Sequence, residues 1–218
     1  MSRNSNQKRA LKKRKVIAKQ PRTKQPTSSG KAEFIIKLQA LIGTLTTPSE
    51  ITDRVEEFCA QLSIEKPIFL DCQPEPWSRQ SCCDGNVLEY IKKYNGEIVF
   101  GYRIWANEPA YIEGERHAIW RNGENLRDVS FVDTGETRTL FLPDAPDRQL
   151  GFDDRPQKVR YAFTDHDRKL VLLLDRAEAA APFGQMTREE SWATMPTFEE
   201  WKTGKRMPNY VPIEMVRT

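Results

Sequence analysis

The chain has 218 residues, of which 38% are hydrophobic and 30% charged, and its net charge is +3. This length allows one domain with a core plus appendages, and there is no apolar run of about 18 residues, so we predict no membrane span. The four cysteines lack the regular spacing of a secreted disulfide framework, and the N-terminus lacks the apolar core of a secretory signal, so we expect a cytoplasmic protein.

The charge is unevenly distributed along the chain. Residues 1–31 carry eleven Lys or Arg and no Asp or Glu, whereas the rest carries 23 basic and 31 acidic residues. Because residues 1–31 have few apolar side chains, we predict a disordered basic arm. Its cluster Lys12-Lys13-Arg14-Lys15 is a candidate nucleic-acid-binding site for the phosphates of RNA or DNA, or for another polyanion. The alternative is a solvated tail without a partner.

Residues 32–181 are predicted to form an α+β domain in which helices pack on a small antiparallel sheet. Apolar residues at helical spacing predict a first helix over 32–45. Thr47-Pro48-Ser49-Glu50 has the pattern of a capping box and predicts the start of a second helix, with its apolar stripe running to Leu62. Cys59 lies on that stripe and is predicted to be buried.

The next elements follow from alternation and turn signals. We predict a short strand at 67–70, a loop at 71–81, and a helix that begins near Cys83 or Asp84 and ends at Asn95-Gly96. Strands are predicted at 97–105, 110–120, 126–131, 137–142, 159–163 and 169–174, and a short helix at 177–181. Residues 182–218 are predicted to be an extension packed on the body.

Three residues of this region suggest thiol chemistry. Cys83 is predicted at a helix N-terminus, where the pKa of a thiol falls, although Cys82 is placed almost as well. If Asn122-Gly123 forms a two-residue hairpin turn, Arg121 pairs with Glu124 and His117 lies directly opposite Asp128 on one sheet face. An aspartate in that position fixes the tautomer of an imidazole base, as in catalytic triads. Cys83, His117 and Asp128 are therefore the catalytic candidates.

Other residues compete for roles at this site. Glu113 and Glu115 share the predicted face of His117 and are rival partners, and the His117–Asp128 pair can also be purely structural. The substrate-binding candidates are Asn86, Trp105, Glu115 and Trp120; the alternative is that Asn86 braces the helix start and the tryptophans form a wall or the core. Cys72, Cys82, Cys83 and His117 could be zinc ligands, but there is no Cys-x-x-Cys pair, so we predict neither a metal nor another cofactor.

A wider pattern links these residues. The motifs Cys83-Asp84-Gly85-Asn86-Val87, Gly101-Tyr102-Arg103-Ile104-Trp105, Glu115-Arg116-His117-Ala118-Ile119-Trp120 and Asp128-Val129 resemble a group of bacterial proteins. That group has Cys-x-x-Asn-Val, Gly-aromatic-x-Ile-Trp, Glu-x-x-His-Ala-x-Trp and Asp-Val, a spacing that favours Cys83 over Cys82. The order helix Cys, strand His, next-strand Asp is similar to papain-like thiol enzymes of the NlpC/P60 and transglutaminase-like kind.

The resemblance covers about a third of the chain and implies a papain-like, NlpC-like core. It implies a cysteine hydrolase or acyltransferase that acts on an amide, peptide or isopeptide bond of a protein or peptide substrate. The chain lacks the Asp-Cys-Ser-Gly of the NlpC/P60 type, and Asp84 stands where an aromatic residue often follows the cysteine; its charge raises the pKa of the thiol. The alternative function is that of a non-enzymatic interaction protein whose basic arm binds a polyanion.

Overall fold

The fold combines helices with a six-stranded antiparallel sheet, as the α+β prediction expected. The computed structural model describes residues 45–107, 110–148, 151–179 and 186–208. In chain order its elements are α1 (Asp53–Leu62), β1 (Ile68–Asp71), α2 (Cys83–Tyr94), β2 (Glu97–Asn107), β3 (Tyr111–Asn122), β4 (Asn125–Arg127), β5 (Arg138–Pro143), β6 (Lys158–Ala162), α3 (Asp165–Ala179), α4 (Arg188–Thr194) and α5 (Phe198–Lys202).

The sheet has the strand order β1-β5-β2-β3-β4, and β6 pairs with the first part of β3. The segment that follows β1 also contacts the segment that follows β4. Gln73 N–H donates to the Asp128 carbonyl at 2.8 Å, and Cys72 forms an isolated parallel β-bridge with Asp128. The two edges of the sheet therefore approach each other at the residue that follows β4. Asp128 lies at this junction.

Helices α1 and α2 cover one face of the sheet. Phe58 and Val55 of α1 pack on residues of β2, β3 and β5, and Val87 and Tyr90 of α2 pack on Ala118. Their burial follows from the spacing of the apolar positions along each helix, which gathers these side chains on one side. The opposite face of the sheet holds Val99, Ile119 and Phe141 in a separate apolar cluster, with Ile68, Leu70 and Leu126 packed against it.

Helix α1 begins later than its sequence pattern indicates. Its N-cap is Thr52, whose hydroxyl accepts from Val55 N–H, and its first residue is Asp53. The predicted capping box at 47–50 is wrong because Thr47 has another partner: its Oγ1 donates to Glu136 Oε2 at 2.5 Å. The helix predicted over 32–45 lies outside the described residues except for Leu45, which is buried.

The segment predicted as a strand at 169–174 is helical. It belongs to α3, which also includes the described part of the predicted short helix at 177–181. Val171 and Leu174, three residues apart, are buried, whereas Leu172 and Leu173 are exposed. A short apolar run does not distinguish a strand from a helix segment, and the helical spacing emerges only when the burial of each side chain is known.

The C-terminal segment at 186–208 packs against the loop that precedes α2. Gln80 N–H donates to the Pro196 carbonyl at 3.0 Å, and Phe198 N–H donates to the Ser78 carbonyl at 2.7 Å. The ring of Phe131 packs against Phe198 and Trp201, with centroids 5.1 and 5.3 Å away. None of the described helices has the length and apolar character that crossing a membrane requires.

Candidate active site

Cys83 is the first residue of α2, as the sequence predicts. The residue before the helix is Cys82, and its side chain makes no capping hydrogen bond. The side chain of Cys82 therefore does not occupy the N–H groups of the first helical turn. Ser81 turns the chain into the helix with a φ of 55°, in the left-handed region that residues other than glycine rarely adopt. The thiol is thus carried by the start of a helix that follows a sharp turn.

Asn86 fixes the loop that leads to this turn. Its Oδ1 accepts from Arg79 N–H at 2.7 Å, and its Nδ2 donates to the Arg79 carbonyl at 2.9 Å and to Ser130 Oγ at 3.2 Å. Ser78 Oγ in turn donates to the Val129 carbonyl at 2.6 Å. These bonds tie the helix start to the chain that follows β4, which is the part of the chain that carries Asp128.

His117 and Asp128 are in contact. His117 Nε2 lies 3.0 Å from Asp128 Oδ2, and both side chains are buried. The hairpin register differs from the predicted one: Asn122 pairs with Asn125, so the turn residues are Gly123 and Glu124. A shift of two residues along the ladder keeps a side chain on the same face. His117 and Asp128 therefore still meet, although they are not directly opposite each other.

A third buried group completes this cluster. Arg103 Nη2 lies 2.7 Å from Asp128 Oδ2 and 2.9 Å from His117 Nε2. The residue opposite His117 on β2 is Gly101, where an added Cβ would lie 2.2 Å from the Leu142 carbonyl oxygen and 2.6 Å from Phe141 Cζ. Because Gly101 has no side chain, the Phe141 ring packs near His117, with centroids 6.1 Å apart.

Cys83 and His117 line the same cavity, which has a volume of about 350 Å³. Among the described residues no hydrogen bond joins the Cys83 thiol to either nitrogen of His117. Charged side chains of both signs face this space, and its lining includes Arg103, Trp105, Glu113, Glu115, Asp133 and Lys158. The cavity can therefore hold a polar substrate group between the thiol and the imidazole.

The edge of β3 supplies a donor beside the thiol. Pairing of β3 with β6 ends at Glu115, and pairing with β4 begins at Trp120. Ala118 lies in this gap, and its backbone N–H stabilises the thiolate form of Cys83. Cys83 therefore lies beside the peptide group that follows His117. This contact brings Cys83 of α2 and His117 of β3 to the same cavity.

The surroundings shift the pKa values of all three candidates. Burial, followed by the charge of Asp84, raises the pKa of the Cys83 thiol well above its ordinary range, although Arg103 opposes this. Burial and the charge of Arg103 lower the pKa of His117, against the effect of Asp128. Burial alone would raise the pKa of Asp128, but His117 and Arg103 hold it far below its ordinary value. At neutral pH the site thus contains a thiol, a neutral imidazole and a carboxylate.

Two of the four substrate-binding candidates line the cavity. Trp105 Nε1 donates to Glu115 Oε2 at 2.9 Å, and both residues face the enclosed space. Burial by itself would raise the pKa of Glu115, but Lys158 and Arg103 keep it below its ordinary value, so this side chain is a carboxylate. Trp105 and Glu115 are therefore positioned to contact a bound molecule.

The other two substrate-binding candidates lie elsewhere. The side chain of Asn86 has no exposed surface and uses its hydrogen bonds to brace the loop, as the alternative interpretation of this residue expected. Trp120 Nε1 donates to the Asn95 carbonyl at 2.6 Å, at the C-terminal end of α2, and its ring packs edge-on against Tyr90. Neither residue lines the cavity, so neither is placed to contact a molecule bound there.

Arg103 contacts both His117 and Asp128, although it is not among the candidates named from the sequence. Arg103 is the variable position of the motif Gly101-Tyr102-Arg103-Ile104-Trp105, but it carries a charge in the middle of a strand whose neighbours are apolar or aromatic. A charged residue at such a position must be paired when it is buried. That signal was present in the sequence and pointed to a buried acidic partner.

The remaining predicted sites receive no structural support. The basic cluster Lys12-Lys13-Arg14-Lys15 lies outside the described residues. Within the described part of the chain, no group of three or more His, Cys, Asp or Glu side chains is placed to hold a metal ion. Cys72 and Cys82 are free thiols, and burial raises the pKa of each to about 11.

Comparisons with models of protein families, with curated proteins and with solved structures give no match to this chain. The resemblance to papain-like thiol enzymes therefore rests on the quoted motifs, and the function has to be argued from the residues of the cavity.

Proposed function

We propose that this chain is a cysteine hydrolase or acyltransferase with a papain-like core, acting on an amide, peptide or isopeptide bond. Cys83 is the nucleophile, His117 is the general base and Asp128 orients the imidazole. The observation that carries the proposal is the shared cavity: the thiol at the start of α2 and an imidazole held at Nε2 by Asp128 both line it. Helix-borne thiol, strand-borne histidine and a following aspartate are the parts that such chemistry requires.

The pKa shifts favour one form of the mechanism. Because the thiol pKa is raised and the imidazole pKa is lowered, the resting pair is uncharged. Proton transfer from sulfur to His117 Nδ1 then accompanies attack of the sulfur on the carbonyl carbon, as general-base catalysis requires. The imidazolium gives this proton to the leaving amine, which yields a thioester on Cys83. Water or an acceptor amine then attacks the thioester and restores the thiol.

Backbone groups at the helix start support the charge that develops on the carbonyl oxygen. Cys83 belongs to the first turn of α2, where N–H groups have no partner within the helix and the helix dipole is positive. A donor placed there stabilises an oxyanion, and losing one such donor typically costs about 3 kcal/mol of transition-state stabilisation. We therefore assign the Cys83 N–H as one donor of the oxyanion hole.

Acetylation by p-nitrophenyl acetate tests this proposal without knowledge of the natural substrate. The expected result is an acetyl thioester on Cys83, detected by peptide mass spectrometry, with release of p-nitrophenolate. C83S should abolish this modification, and H117Q should slow it by roughly 10²-fold or more, the typical contribution of a general base. C82S is the matched control, because Cys82 is the adjacent cysteine and is buried. Acetylation of Cys82 instead, or an unchanged rate in H117Q, would contradict the proposal.

The charge distribution of the sequence favours a second function for the N-terminal segment. Eleven basic and no acidic residues in 1–31 are suited to bind phosphates, and such binding weakens steeply with added salt. We propose that this segment binds a polyanion independently of the cavity. Deleting residues 1–31 should abolish salt-sensitive binding of RNA and DNA. Binding that is unaffected by the deletion, or absent from the full chain, would exclude this role.

A further inference from the structure

Arg103 occupies the centre of the candidate site. It is 6% exposed, and a single nitrogen, Nη2, approaches both Asp128 Oδ2 and His117 Nε2. Its guanidinium also lies over the Trp105 ring, 5.7 Å from the centroid. A buried cation needs a fixed partner, and Asp128 supplies it. The carboxylate of the candidate triad is thus shared between an imidazole and a guanidinium.

Both oxygens of Asp128 are occupied. Oδ1 accepts from Ser130 N–H at 3.0 Å, and Oδ2 faces Arg103 at 2.7 Å and His117 at 3.0 Å. A guanidinium carries no atom that can accept a hydrogen bond, and it stays protonated at ordinary pH, so Arg103 can only donate. The negative charge of Asp128 is therefore already balanced before His117 is considered.

This arrangement determines the tautomer of His117. If Nε2 were the unprotonated nitrogen, it would face a carboxylate oxygen at 3.0 Å with two lone pairs directed at each other. Arg103 Nη2, 2.9 Å from Nε2, could donate to an unprotonated Nε2, but the Nε2 lone pair would then face the anionic oxygen. Because the charged carboxylate is the stronger partner, Nε2 carries the hydrogen and donates it to Oδ2. Nδ1, for which the described residues provide no hydrogen-bond partner, is then the unprotonated nitrogen. A second ring proton would create an imidazolium within 2.9 Å of the guanidinium.

We propose that Arg103 is a positioning residue: by sharing Asp128 it keeps His117 neutral with its proton on Nε2, so that Nδ1 is free to take the thiol proton. This role in catalysis rests on the proposed function, whereas the charge state and tautomer of His117 do not. The sequence of the chain makes both measurable, because it contains only two histidines, His117 and His166.

Other charged groups also surround His117. Glu115 on the same strand raises its pKa, as Asp128 does, and Arg103 on β2 lowers it. Across the cavity stand the Cys83 thiol at the start of α2, Lys158 on β6, and Asp133. From β5 the neighbour is the uncharged ring of Phe141. Arg103 is the cation in direct contact with the imidazole, so its removal should have the largest effect.

The test is an NMR titration of the imidazole signals of the full chain, with ring ¹⁵N shifts reporting the tautomer. His166 is exposed in the first turn of α3, and H166Q assigns the two signals. In the wild type at pH 7, we expect His117 to be neutral with its proton on Nε2. A cationic ring, or a proton on Nδ1, would overturn the proposal.

Variants of Arg103 test the cause of this state. In R103M the guanidinium no longer opposes Asp128, so the His117 midpoint should rise above its wild-type value; an unchanged midpoint would overturn the proposal. Loosened packing would raise the His117 midpoint in R103M and in R103M/D128N alike, whereas an effect of Asp128 requires the carboxylate. R103M/D128N buries no unpaired charge and should lose the upward shift seen in R103M. Failure of Cys83 acetylation alone would contradict the proposed activity and leave the charge state of His117 intact.

Discussion

The indole ring of Trp192 fills the space in which a side chain at Gly85 would begin. A Cβ added at position 85 would lie 2.8 Å from Trp192 Cε3, closer than carbon atoms approach in folded proteins. Gly85 belongs to the first turn of α2, two residues after Cys83, and Trp192 belongs to α4. The C-terminal segment therefore packs on the same helical turn that carries the candidate nucleophile.

Replacing Gly85 should have effects of opposite sign in two backgrounds. In the wild type, G85A should destabilise the protein because the added methyl group displaces Trp192. In W192A, where that space is empty, G85A should stabilise by up to about 1 kcal/mol because alanine is the better helix former. Urea unfolding of the four proteins of this double-mutant cycle provides the test. Additive changes in the free energy of unfolding would show that the contact does not constrain position 85.

Asn86 should prove structural in its effects. N86A leaves the N–H and carbonyl of Arg79 without their partner, which should cost about 1–3 kcal/mol of stability because both groups lose a hydrogen bond near the core. N125A is the matched control, since Asn125 is exposed on β4 and should change stability by no more than about 0.5 kcal/mol. Unfolding curves measure both variants. A fully stable N86A protein would contradict the bracing role.

Stability should fall on acidification because of His117. Its pKa is lowered in the folded state by burial and by Arg103, so the unfolded chain binds the proton more tightly. The contribution is present above the ordinary histidine pKa of about 6.5 and is lost as the pH falls through the lowered folded value. Each such proton contributes a slope of at most about 1.4 kcal/mol per pH unit. H117Q should flatten the dependence of unfolding free energy on pH between 7.5 and 5.

The exposed histidine supplies the control for that experiment. H166Q is the matched control, because it removes the other histidine of the sequence, which is exposed on α3. Asp128 adds a second loss at lower pH, because its pKa is held far below its ordinary value and its stabilising effect disappears when the carboxylate is protonated. Equal slopes in H117Q and the wild type would show that His117 is not the group that titrates.

The sequence predicted the order of the elements around the site, because those elements follow local rules. The start of α2 at Cys83, its end at Asn95 and Gly96 with positive φ, and strands β2 and β3 agree with the structure. The strand predicted at 126–131 is shorter in the structure, where β4 ends at Arg127. Turn chemistry and apolar spacing act between residues that are close in the chain. The contact of His117 with Asp128 was also anticipated, although the turn lies one residue later than predicted.

What the sequence did not predict depends on residues far apart in the chain. Arg103 meets His117 and Asp128 only because β2 and β3 pair in one register and the chain after β4 returns beside them. The same holds for Thr47, whose hydroxyl reaches Glu136 and not the local helix. The strand predicted at 169–174 is part of a helix, Asp165–Ala179, whose apolar run is too short to show the helical period. The residues that pack on Val171 and Leu174 come from distant segments of the chain.

Thiol labelling should reveal the charge environment of Cys83. Because burial and then Asp84 raise its pKa, Cys83 should react with iodoacetamide at pH 7 more slowly than free cysteine, contrary to the reactive thiolate that a helix start favours. D84N should increase the rate roughly three- to ten-fold by removing the negative charge. R188M should have the opposite effect, because Arg188 Nη2 lies 2.8 Å from Asp84 Oδ2 and partly balances it.

A charge control and identification of the labelled cysteine complete the test of Asp84. E89Q removes a negative charge from a partly exposed position of the same helix, where Glu89 pairs with Lys92, and should leave the labelling rate unchanged. Peptide mass spectrometry separates Cys83 from Cys82, whose pKa is raised to about 11 by the same causes, burial and Asp84. If D84N leaves Cys83 as slow as in the wild type, burial alone determines its reactivity. In that case the thiol needs a bound substrate, and not a change of charge, to become a nucleophile.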